Sequence, residues 1–353
     1  MKVLFVVTGV GYGDSIRSHA VIKSLLKHNP KARIMVAAYD NSYNYFKDKY
    51  HTVKISGYKL LGMSLKFRVL PFLANNYVLP YTWIAVSLKL KKLVKGFGPD
   101  VIVSDFEPAG IILARLLRKP CVVIFSYDPA LFRELKHKNK KLVLEALYFE
   151  RLYNAADVAV IPSLLGTRES KRYCYVNPVV ITKPSELPSN QVLMRKLKLK
   201  RPPILVMLGG SSFGVNLARR LMRVAKNFDE DFIIFGSSVK LPKKKNVKHF
   251  PFRPNFLEYL KVCKGVITLG GNLTLSECVV YRKPMLVFPI KDHVEQLLNA
   301  YAIRNVAMVK YDLKGLRRSV ESFLRNIDSI KCKIPRVEPS GSEQIVHIIR
   351  HLK

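Results

Sequence analysis

Short apolar runs alternate with amphipathic stretches along most of the chain. Val3–Val7, Ile34–Ala38 and Val101–Ser104 are short enough to be strands and lack polar alternation, which is typical of parallel strands buried on both faces. Further strands are predicted within 121–128, 156–163, 177–182, 204–214 and 231–238. Because helical patterns separate the runs, the chain is predicted to be an α/β protein built from βαβ units.

Residues 264–300 carry the clearest of these units. A strand at Val266–Leu269 runs into Gly270-Gly271, and a helix follows from about Leu273 with Glu277 in its second turn. A second strand, Met285–Ile290, leads to a polar loop and another helix. Ligands of such units bind outside the carboxyl ends of the strands. Paired glycines let a phosphate approach backbone N–H groups at a helix N-terminus, and a carboxylate can accept hydrogen bonds from ribose hydroxyls.

This arrangement resembles the nucleotide-sugar site of GT-B glycosyltransferases. It is most similar to the bacterial family that adds N-acetylglucosamine to the lipid-linked peptidoglycan precursor, and to archaeal and eukaryotic relatives in lipid-linked glycan assembly. The resemblance implies a diphosphate contact at the glycine turn, a ribose contact by Glu277 and a sugar contact by the pair before Asn299-Ala300. It assigns to the donor site Gly270, Gly271, Asn272, Glu277, His293, Glu295 and Gln296. A generic Rossmann-like unit is the alternative.

A second glycine turn follows the predicted strand at 204–208. Gly209, Gly210 and Ser211 match the G-G-S loop that approaches the donor diphosphate in the resembled family. An aromatic residue and its successor precede the signature strand there, and their backbone reads the uracil. By position these residues are Phe252 and Arg253.

The N-terminal strand is also followed by a glycine-rich loop. Gly11 and Gly13 are predicted to form a phosphate or acceptor loop, and Asp14 or Ser15 can cap the next helix. Dinucleotide binding is an alternative, although G-V-G-Y-G is not G-x-G-x-x-G. Many proteins of the resembled family carry His after these glycines as the catalytic base. This chain has Asp14 there, which makes Asp14 a candidate base.

Two further carboxylates follow the strand at 101–104. Asp105 and Glu107 lie at its carboxyl end, where they can face a ligand. Glu107 is therefore the rival candidate for general base, with Asp105 beside it. The alternative is that one of them caps the next helix and satisfies its first N–H groups.

Length and local composition predict two domains. We expect two Rossmann-like domains facing each other across a cleft, as in the GT-B fold that the resemblance implies. The predicted boundaries are 1–182 for an N-terminal acceptor and membrane-side domain, 183–202 for a linker rich in proline and polar residues, 203–325 for the nucleotide-sugar domain and 326–353 for a C-terminal segment. Ser340 and Glu343 predict a capping box on a final helix that returns to the first domain.

The net charge of the 353-residue chain is +35, which points to an anionic partner. No helix-turn-helix, zinc-finger or RNA-recognition signature accompanies it, so nucleic acid is not the expected partner. The five cysteines show no metal spacing, and with no signal peptide this predicts a cytoplasmic protein with reduced thiols. No metal and no cofactor are expected, because a UDP-sugar is a co-substrate.

Twenty uncharged residues separate Arg68 from Lys89, between flanking basic residues. Prolines 71 and 80 interrupt this stretch, which argues against a membrane span. A buried helix with a loop is one alternative. An interfacial patch is the other, since aromatics and lysines within 59–95 suit an anionic headgroup boundary and a lipid-linked acceptor there.

The sequence therefore predicts an inverting, metal-independent glycosyltransferase, peripheral at the inner face of the cell membrane. By resemblance, the donor is UDP-N-acetylglucosamine and the acceptor is polyprenyl-linked. Two other functions remain open from the residues alone. One is a UDP-sugar 2-epimerase of the same fold, and the other is a non-catalytic basic module that binds nucleic acid or lipid.

Overall fold

The computed structural model describes residues 1–58, 78–135, 150–151, 153–209, 212–236, 242 and 245–352. The described residues form two compact units. The first contains those up to Ile181 together with those from Pro339 onward, and the second contains those of Thr182–Glu338. Each unit is built on its own parallel sheet, which confirms the predicted α/β class with two Rossmann-like sheets.

Seven strands form the sheet of the first unit, in the order β3-β2-β1-β4-β5-β6-β7. They are β1 (Lys2–Val7), β2 (Arg33–Ala38), β3 (His51–Lys54), β4 (Val101–Asp105), β5 (Cys121–Ile124), β6 (Val158–Pro162) and β7 (Cys174–Val176). The described helices of this unit up to β6 are α1 (Gly13–His28), α2 (Asp40–Phe46), α3 (Leu79–Leu93), α4 (Pro108–Leu117) and α5 (Phe132–Leu135). Strand order reverses beside β1, which pairs with both β2 and β4.

The second unit has a six-stranded sheet in the order β10-β9-β8-β11-β12-β13. Its strands are β8 (Ile204–Met207), β9 (Phe232–Phe235), β10 (Val247–Phe250), β11 (Gly265–Thr268), β12 (Met285–Val287) and β13 (Met308–Val309). Its described helices are α6 (Asn190–Lys196), α7 (Val215–Val224), α8 (Phe256–Val262), α9 (Asn272–Val280), α10 (Val294–Ala302), α11 (Leu316–Arg325) and α12 (Ile327–Lys333). Here the order reverses beside β8, which pairs with both β9 and β11.

The central strands are buried because both of their faces are apolar. Every residue of β4 and β11 is buried, as the unbroken apolar runs predict. Ligands of open parallel sheets bind beyond the carboxyl ends of the strands where the order reverses. That rule selects the loops after β1 and β4 in the first unit, and those after β8 and β11 in the second.

The last helix, α13 (Gly341–His351), completes the core of the first unit. Ile345, Val346 and Ile349 are buried in the same apolar cluster as residues of β1 and α1. The predicted capping box is wrong, because the Ser340 hydroxyl makes no cap hydrogen bond. It instead accepts a hydrogen bond of 2.8 Å from Asn177 Nδ2.

A second contact between Asn177 and the last helix explains an error in the predicted strands. Residues 177–182 are not a strand, and β7 lies just before them. The backbone N–H of Asn177 donates to Gln344 Oε1 at 2.7 Å, and Pro178 has no N–H to donate. The first two residues of the segment therefore offer no free N–H to a neighbouring strand, and β7 ends at Val176.

Residues 183–202, predicted as a linker, belong to the second unit. They contain the helix α6, and Lys196 on it forms an ion pair with Glu258 of α8. Lys261 of α8 donates hydrogen bonds to the carbonyl oxygens of Pro184 and Leu187, at 2.8 and 2.9 Å. The composition that predicts a linker therefore describes a segment packed on α8.

Val78 and helix α3 contain the described part of the long uncharged stretch. Residues 69–77 and the basic residues Lys59, Lys66 and Arg68 lie outside the described residues. Trp83, Val86 and Leu90 face the core and are buried, in agreement with the buried-helix alternative. The other side of the helix is exposed and includes Tyr81 and Ile84. Among the described helices, none has the length and apolar character needed to cross a membrane.

Candidate functional site

In the second unit, the loops after β8 and β9 approach each other closely. Gly209 follows β8 with φ +70° and Gly236 follows β9 with φ +72°, a conformation that favours glycine. A Cβ on Gly236 would lie 2.6 Å from the carbonyl oxygen of Gly209. The glycines are therefore needed for the contact between the two loops. Gly210 and Ser211, the other predicted residues of the first loop, lie outside the described residues.

The turn between β11 and α9 contains two glycines with different surroundings. A Cβ on Gly270 would lie 2.5 Å from the carbonyl oxygen of Gln296, so this position must be glycine for α10 to pack. Gly271 is the N-cap of α9 with φ −72°, and a Cβ there would meet no described atom within 4 Å. Neither packing nor backbone conformation requires glycine at 271. Open space in front of a helix N-terminus suits an anion.

Gln296 holds two loops of this region together. Its Oε1 accepts hydrogen bonds from the backbone N–H groups of Gly270, at 3.0 Å, and Ile290, at 3.1 Å. Asn299, one turn later, donates to the carbonyl oxygen of Gly270 at 3.2 Å and is buried. Because Oε1 is occupied, the predicted contact between Gln296 and the sugar has to come from its amide nitrogen. The sequence analysis does not predict a role for Asn299. The available signal was its place in the Asn-Ala pair that follows Gln296 in the resembled family.

Glu277 has an unusual environment for a carboxyl group. It lies in α9, its side chain is 3% exposed, and it accepts no hydrogen bond from any described residue. Burial raises the pKa of Glu277 to about 8, because the charged form is poorly solvated there. A buried polar group without a partner costs free energy. A ligand that donates hydrogen bonds to this carboxyl group would offset that cost.

The other predicted donor residues lie between strands and the helices that follow them, or in the first turns of those helices. His293 is the N-cap of α10; it is half-buried beside Phe213, with the rings edge to face and their centroids 6.4 Å apart, and loss of solvation lowers its pKa to about 4. Glu295 lies in the first turn of α10 and Asn272 in the first turn of α9. Phe252 and Arg253 precede α8; Phe252 is 41% exposed, and the Arg253 guanidinium stacks 4.0 Å above the Phe250 ring.

In the first unit, the glycine loop after β1 leads directly into α1. Helix α1 begins at Gly13 without a side-chain cap, so the predicted capping by Asp14 or Ser15 is wrong. A Cβ on Gly11 would have only the backbone nitrogen of Gly13 nearby, at 3.9 Å, so the loop is open there. Asp14 remains partly exposed, with an 18% accessible side chain.

Asp14 and Asp105 are brought together by a residue that the sequence reading missed. The guanidinium of Arg17 is ion-paired with both carboxylates, and the Arg17 side chain is only 2% exposed. Asp105 is fully buried at the end of β4. The sequence signal that could have identified Arg17 is its position three residues after Asp14, since residues three apart on a helix lie side by side.

Glu107 is the N-cap of α4 and is fully buried. Its Oε1 accepts a hydrogen bond of 3.5 Å from the backbone N–H of Ala109, as the capping alternative predicts. Burial raises the pKa of Glu107 to about 8. Its other oxygen, Oε2, is also buried and has no hydrogen-bond partner among the described residues. Among the described residues, no group of three or more His, Cys, Asp or Glu side chains is placed to hold a metal ion.

Several known proteins are similar to this chain over most of its length. An uncharacterized glycosyltransferase of Methanopyrus kandleri is 25% identical over 296 residues, which cover 80% of this chain and 84% of that protein. The UDP-N-acetylglucosamine--N-acetylmuramyl-(pentapeptide) pyrophosphoryl-undecaprenol N-acetylglucosamine transferase of Caldicellulosiruptor saccharolyticus is 25% identical over 332 residues, covering 85% and 88%. The crystal structure of MurG from Acinetobacter baumannii matches 99% of both chains with a TM-score of 0.63 at 16% identity.

The family follows from a match that spans most of the chain. The family model described as glycosyl transferase family 1 matches residues 1–328. The structural match to MurG supplies the fold, since it covers 99% of this chain. This chain therefore belongs to glycosyl transferase family 1 and is a glycosyltransferase with the GT-B fold.

Proposed function

We propose that this enzyme transfers N-acetylglucosamine from UDP-N-acetylglucosamine, with inversion and without a metal ion, to a polyprenyl-linked acceptor. The acceptor class and the donor sugar are suggested by the activity for which the Caldicellulosiruptor relative, 25% identical to this chain, is named. We further propose that the enzyme works in the cytoplasm, bound peripherally to the inner face of the cell membrane.

The observation that carries the donor assignment is the unpartnered carboxyl group of Glu277. It lies in the second turn of α9, directly behind the open backbone at Gly271. A ribose offers two neighbouring hydroxyls to a carboxylate, and the attached diphosphate would meet the N-terminus of the same helix. One nucleotide would thus supply hydrogen bonds to Glu277 and negative charge to the helix end.

In the proposed mechanism, the second unit stabilises the leaving group. The diphosphate gains charge as the sugar bond breaks, and the N–H groups around Gly271 and the dipole of α9 would stabilise that charge without a cation. Asp14 is the proposed base that takes the proton from the acceptor hydroxyl, because it is the one carboxylate of Asp14, Asp105 and Glu107 that is partly exposed. Asp105 and Glu107, both fully buried, would support the site from behind.

The exposed side of α3 supports the proposed membrane contact. Tyr81, Ile84 and Leu88 are 74%, 48% and 49% exposed, and their spacing places them along one side of the helix. Exposed basic residues accompany them, namely Lys89, Lys91, Lys92 and Lys95. An apolar stripe with adjacent lysines is typical of helices that lie in an anionic membrane interface.

Nucleotide binding and product analysis test the function directly. We expect the enzyme to bind UDP in calorimetry, to ignore NAD and RNA, and to convert UDP-N-acetylglucosamine only with an acceptor. Mass spectrometry of a lipid extract after incubation should show a polyprenyl-linked glycan heavier by one N-acetylhexosamine. Isomerisation of the donor without acceptor would identify an epimerase instead, and binding of RNA without UDP would identify a basic binding module.

Replacing Glu277 should weaken nucleotide binding. Above pH 8, where the Glu277 carboxyl group is ionised, Glu277→Gln keeps the size and loses the charge, and hydrogen bonds to charged groups contribute about 1.5–3 kcal/mol, so we expect UDP affinity to fall roughly tenfold to a hundredfold. Glu321→Gln, on the exposed surface of α11, is the matched control and should bind UDP like the parent. Equal affinities of Glu277→Gln and the parent in calorimetry would exclude the ribose contact.

The pH dependence of binding follows from the same carboxyl group. Because burial raises the pKa of Glu277 to about 8, the free protein carries mostly the protonated form at pH 6. Hydroxyl donors favour the ionised form, so uridine affinity should rise from pH 6 to pH 8 and level off above. Uridine is the suitable probe because it lacks phosphates that titrate in this range. The Glu277→Gln variant should show a flat profile, and a flat parent profile would contradict the assignment.

A side chain at Gly271 should block the ligand without disturbing the fold. The position has φ −72° and open space, so Gly271→Val should unfold at about the same urea concentration as the parent. It should weaken UDP binding at least tenfold by keeping the diphosphate away from the helix N-terminus. Gly270→Val is the contrasting variant and should lose stability, because its Cβ would overlap Gln296. Normal UDP binding by Gly271→Val would show that the diphosphate does not bind at this helix N-terminus.

Charge reversal on α3 should release the protein from anionic vesicles. Replacing Lys89, Lys91 and Lys92 with Glu removes attraction of about 1 kcal/mol per basic residue near the surface, and salt should weaken binding of the parent. The matched control reverses three exposed basic residues of the second unit, Arg219, Arg223 and Lys226, and should still sediment with the vesicles. Transfer to a short water-soluble acceptor should persist in both. Unchanged vesicle binding of the α3 variant would exclude this surface.

A further inference from the structure

We propose that Arg17 is a positioning residue of this enzyme, which fixes the carboxylate of Asp14 for proton transfer and is itself anchored by Asp105. The inference rests on the proposed function, because it takes Asp14 as the base.

The first argument is the burial of Arg17. Arginine side chains are almost never fully buried unless they are paired, because removing a charge from water is costly. Arg17 is 2% exposed and is among the largest fully buried side chains of the described residues. A charge buried in this way is held by partners on several elements, and so has little freedom to move.

The anchor is Asp105, at the carboxyl end of β4. Arg17 donates to both carboxylate oxygens, with Nε 3.3 Å from Oδ2 and Nη2 in contact with Oδ1. Ser18 also donates to Oδ2, at 2.6 Å. Asp105 pairs with Val7 in the sheet, so its backbone is fixed beside β1. A two-pronged contact of this kind fixes the plane of the guanidinium as well as its position.

The same guanidinium reaches forward to Asp14. Nη2 of Arg17 lies 2.5 Å from Asp14 Oδ1, on the preceding turn of α1. Ser126, just after β5, donates to the same oxygen at 3.2 Å and accepts from Arg17 at 3.3 Å. Both hydrogen bonds go to Oδ1, and no described residue donates to Oδ2. The geometry thus selects Oδ2 as the oxygen that faces an acceptor hydroxyl.

The charges of Asp14, Arg17 and Asp105 agree with an anchoring role for Asp105 and a proton-accepting role for Asp14. One guanidinium lies between two carboxylates, so Asp14, Arg17 and Asp105 together carry one net negative charge when both acids are ionised. Asp105 is fully buried, whereas Asp14 is 18% exposed. The buried carboxylate compensates the cation, and the remaining negative charge lies on the member that a substrate can reach.

A double-mutant cycle between Asp14 and Arg17 tests the inference. The readout is UDP release from UDP-N-acetylglucosamine with a short-chain, water-soluble polyprenyl-diphosphate-linked sugar as acceptor, and the reaction without acceptor is the blank. Asp14→Asn should lower kcat by about 10²–10⁴ if it is the base. Arg17→Lys keeps the charge but loses the two-pronged contact, and a misplacement of about 1 Å can cost roughly a hundredfold, so kcat should fall about tenfold to a hundredfold. KM for the donor should not change.

The decisive comparison is Arg17→Lys in the Asp14→Asn background. Residues that act as a unit are non-additive, so the second substitution should cause no further loss there. A purely structural role of Arg17 would give the same fold-loss in both backgrounds and would overturn the inference. If Asp14→Asn alone turns over like the parent, the proposed base is wrong, while intact UDP binding would still support the donor site.

Two further variants keep the test conclusive. Arg201 bridges Asp229 and Asp231 in the second unit much as Arg17 bridges its two acids, so Arg201→Lys is the matched control and should keep the parent kcat. If Arg17→Lys does not fold, Ser126→Ala replaces it, because the loss of one hydroxyl leaves the ion pairs intact. It should lower kcat several-fold in the parent and not at all in Asp14→Asn. Equal losses in both backgrounds would again overturn the inference.

Discussion

The arrangement of both units depends on the parallel pairing of buried strands. Each central strand has apolar side chains on both faces and satisfies its backbone hydrogen bonds only through its neighbours. Parallel pairing places all carboxyl ends at one edge of a sheet, however far apart the strands lie in the chain. Gly209, Gly236 and Gly270 therefore follow strands that end at one edge, although about sixty residues separate the first from the last. The close contacts at these glycines show how tightly the loops pack there.

Buried carboxyl groups have three different environments in this molecule. Asp105 is compensated by a buried guanidinium, and Glu107 caps a helix. Glu277 has no hydrogen-bond donor among the described residues. Pairing offsets the cost of burying Asp105, whereas the cap contact reaches only Oε1 of Glu107 and leaves its Oε2 without a partner among the described residues. Glu277 receives no hydrogen bond from a described residue at either oxygen, which is why it carries the most information about a ligand.

Much of this could be anticipated from local sequence. Unbroken apolar runs predicted the central strands, and the glycine pair before Leu273 predicted the turn into α9. Local prediction failed where a partner is distant. Asn177 and Ser340 are 163 residues apart, and their contact replaces both a predicted strand and a predicted capping box. The packing of 183–202 on α8 was hidden for the same reason, because composition reports turns and polarity but not which helix lies beneath.

The sequence by itself determined the α/β class, the glycine turns and the presence of carboxylates after the strands, because these depend on residues that are close together in the chain. The tertiary structure decided which carboxylates have partners. Arg17 reads as an ordinary helix residue until β4 brings Asp105 beside it from 88 positions away. Glu277 reads as an ordinary helical glutamate until packing removes it from water. Burial and ion pairing are set by contacts between distant segments, and a local pattern does not specify those contacts.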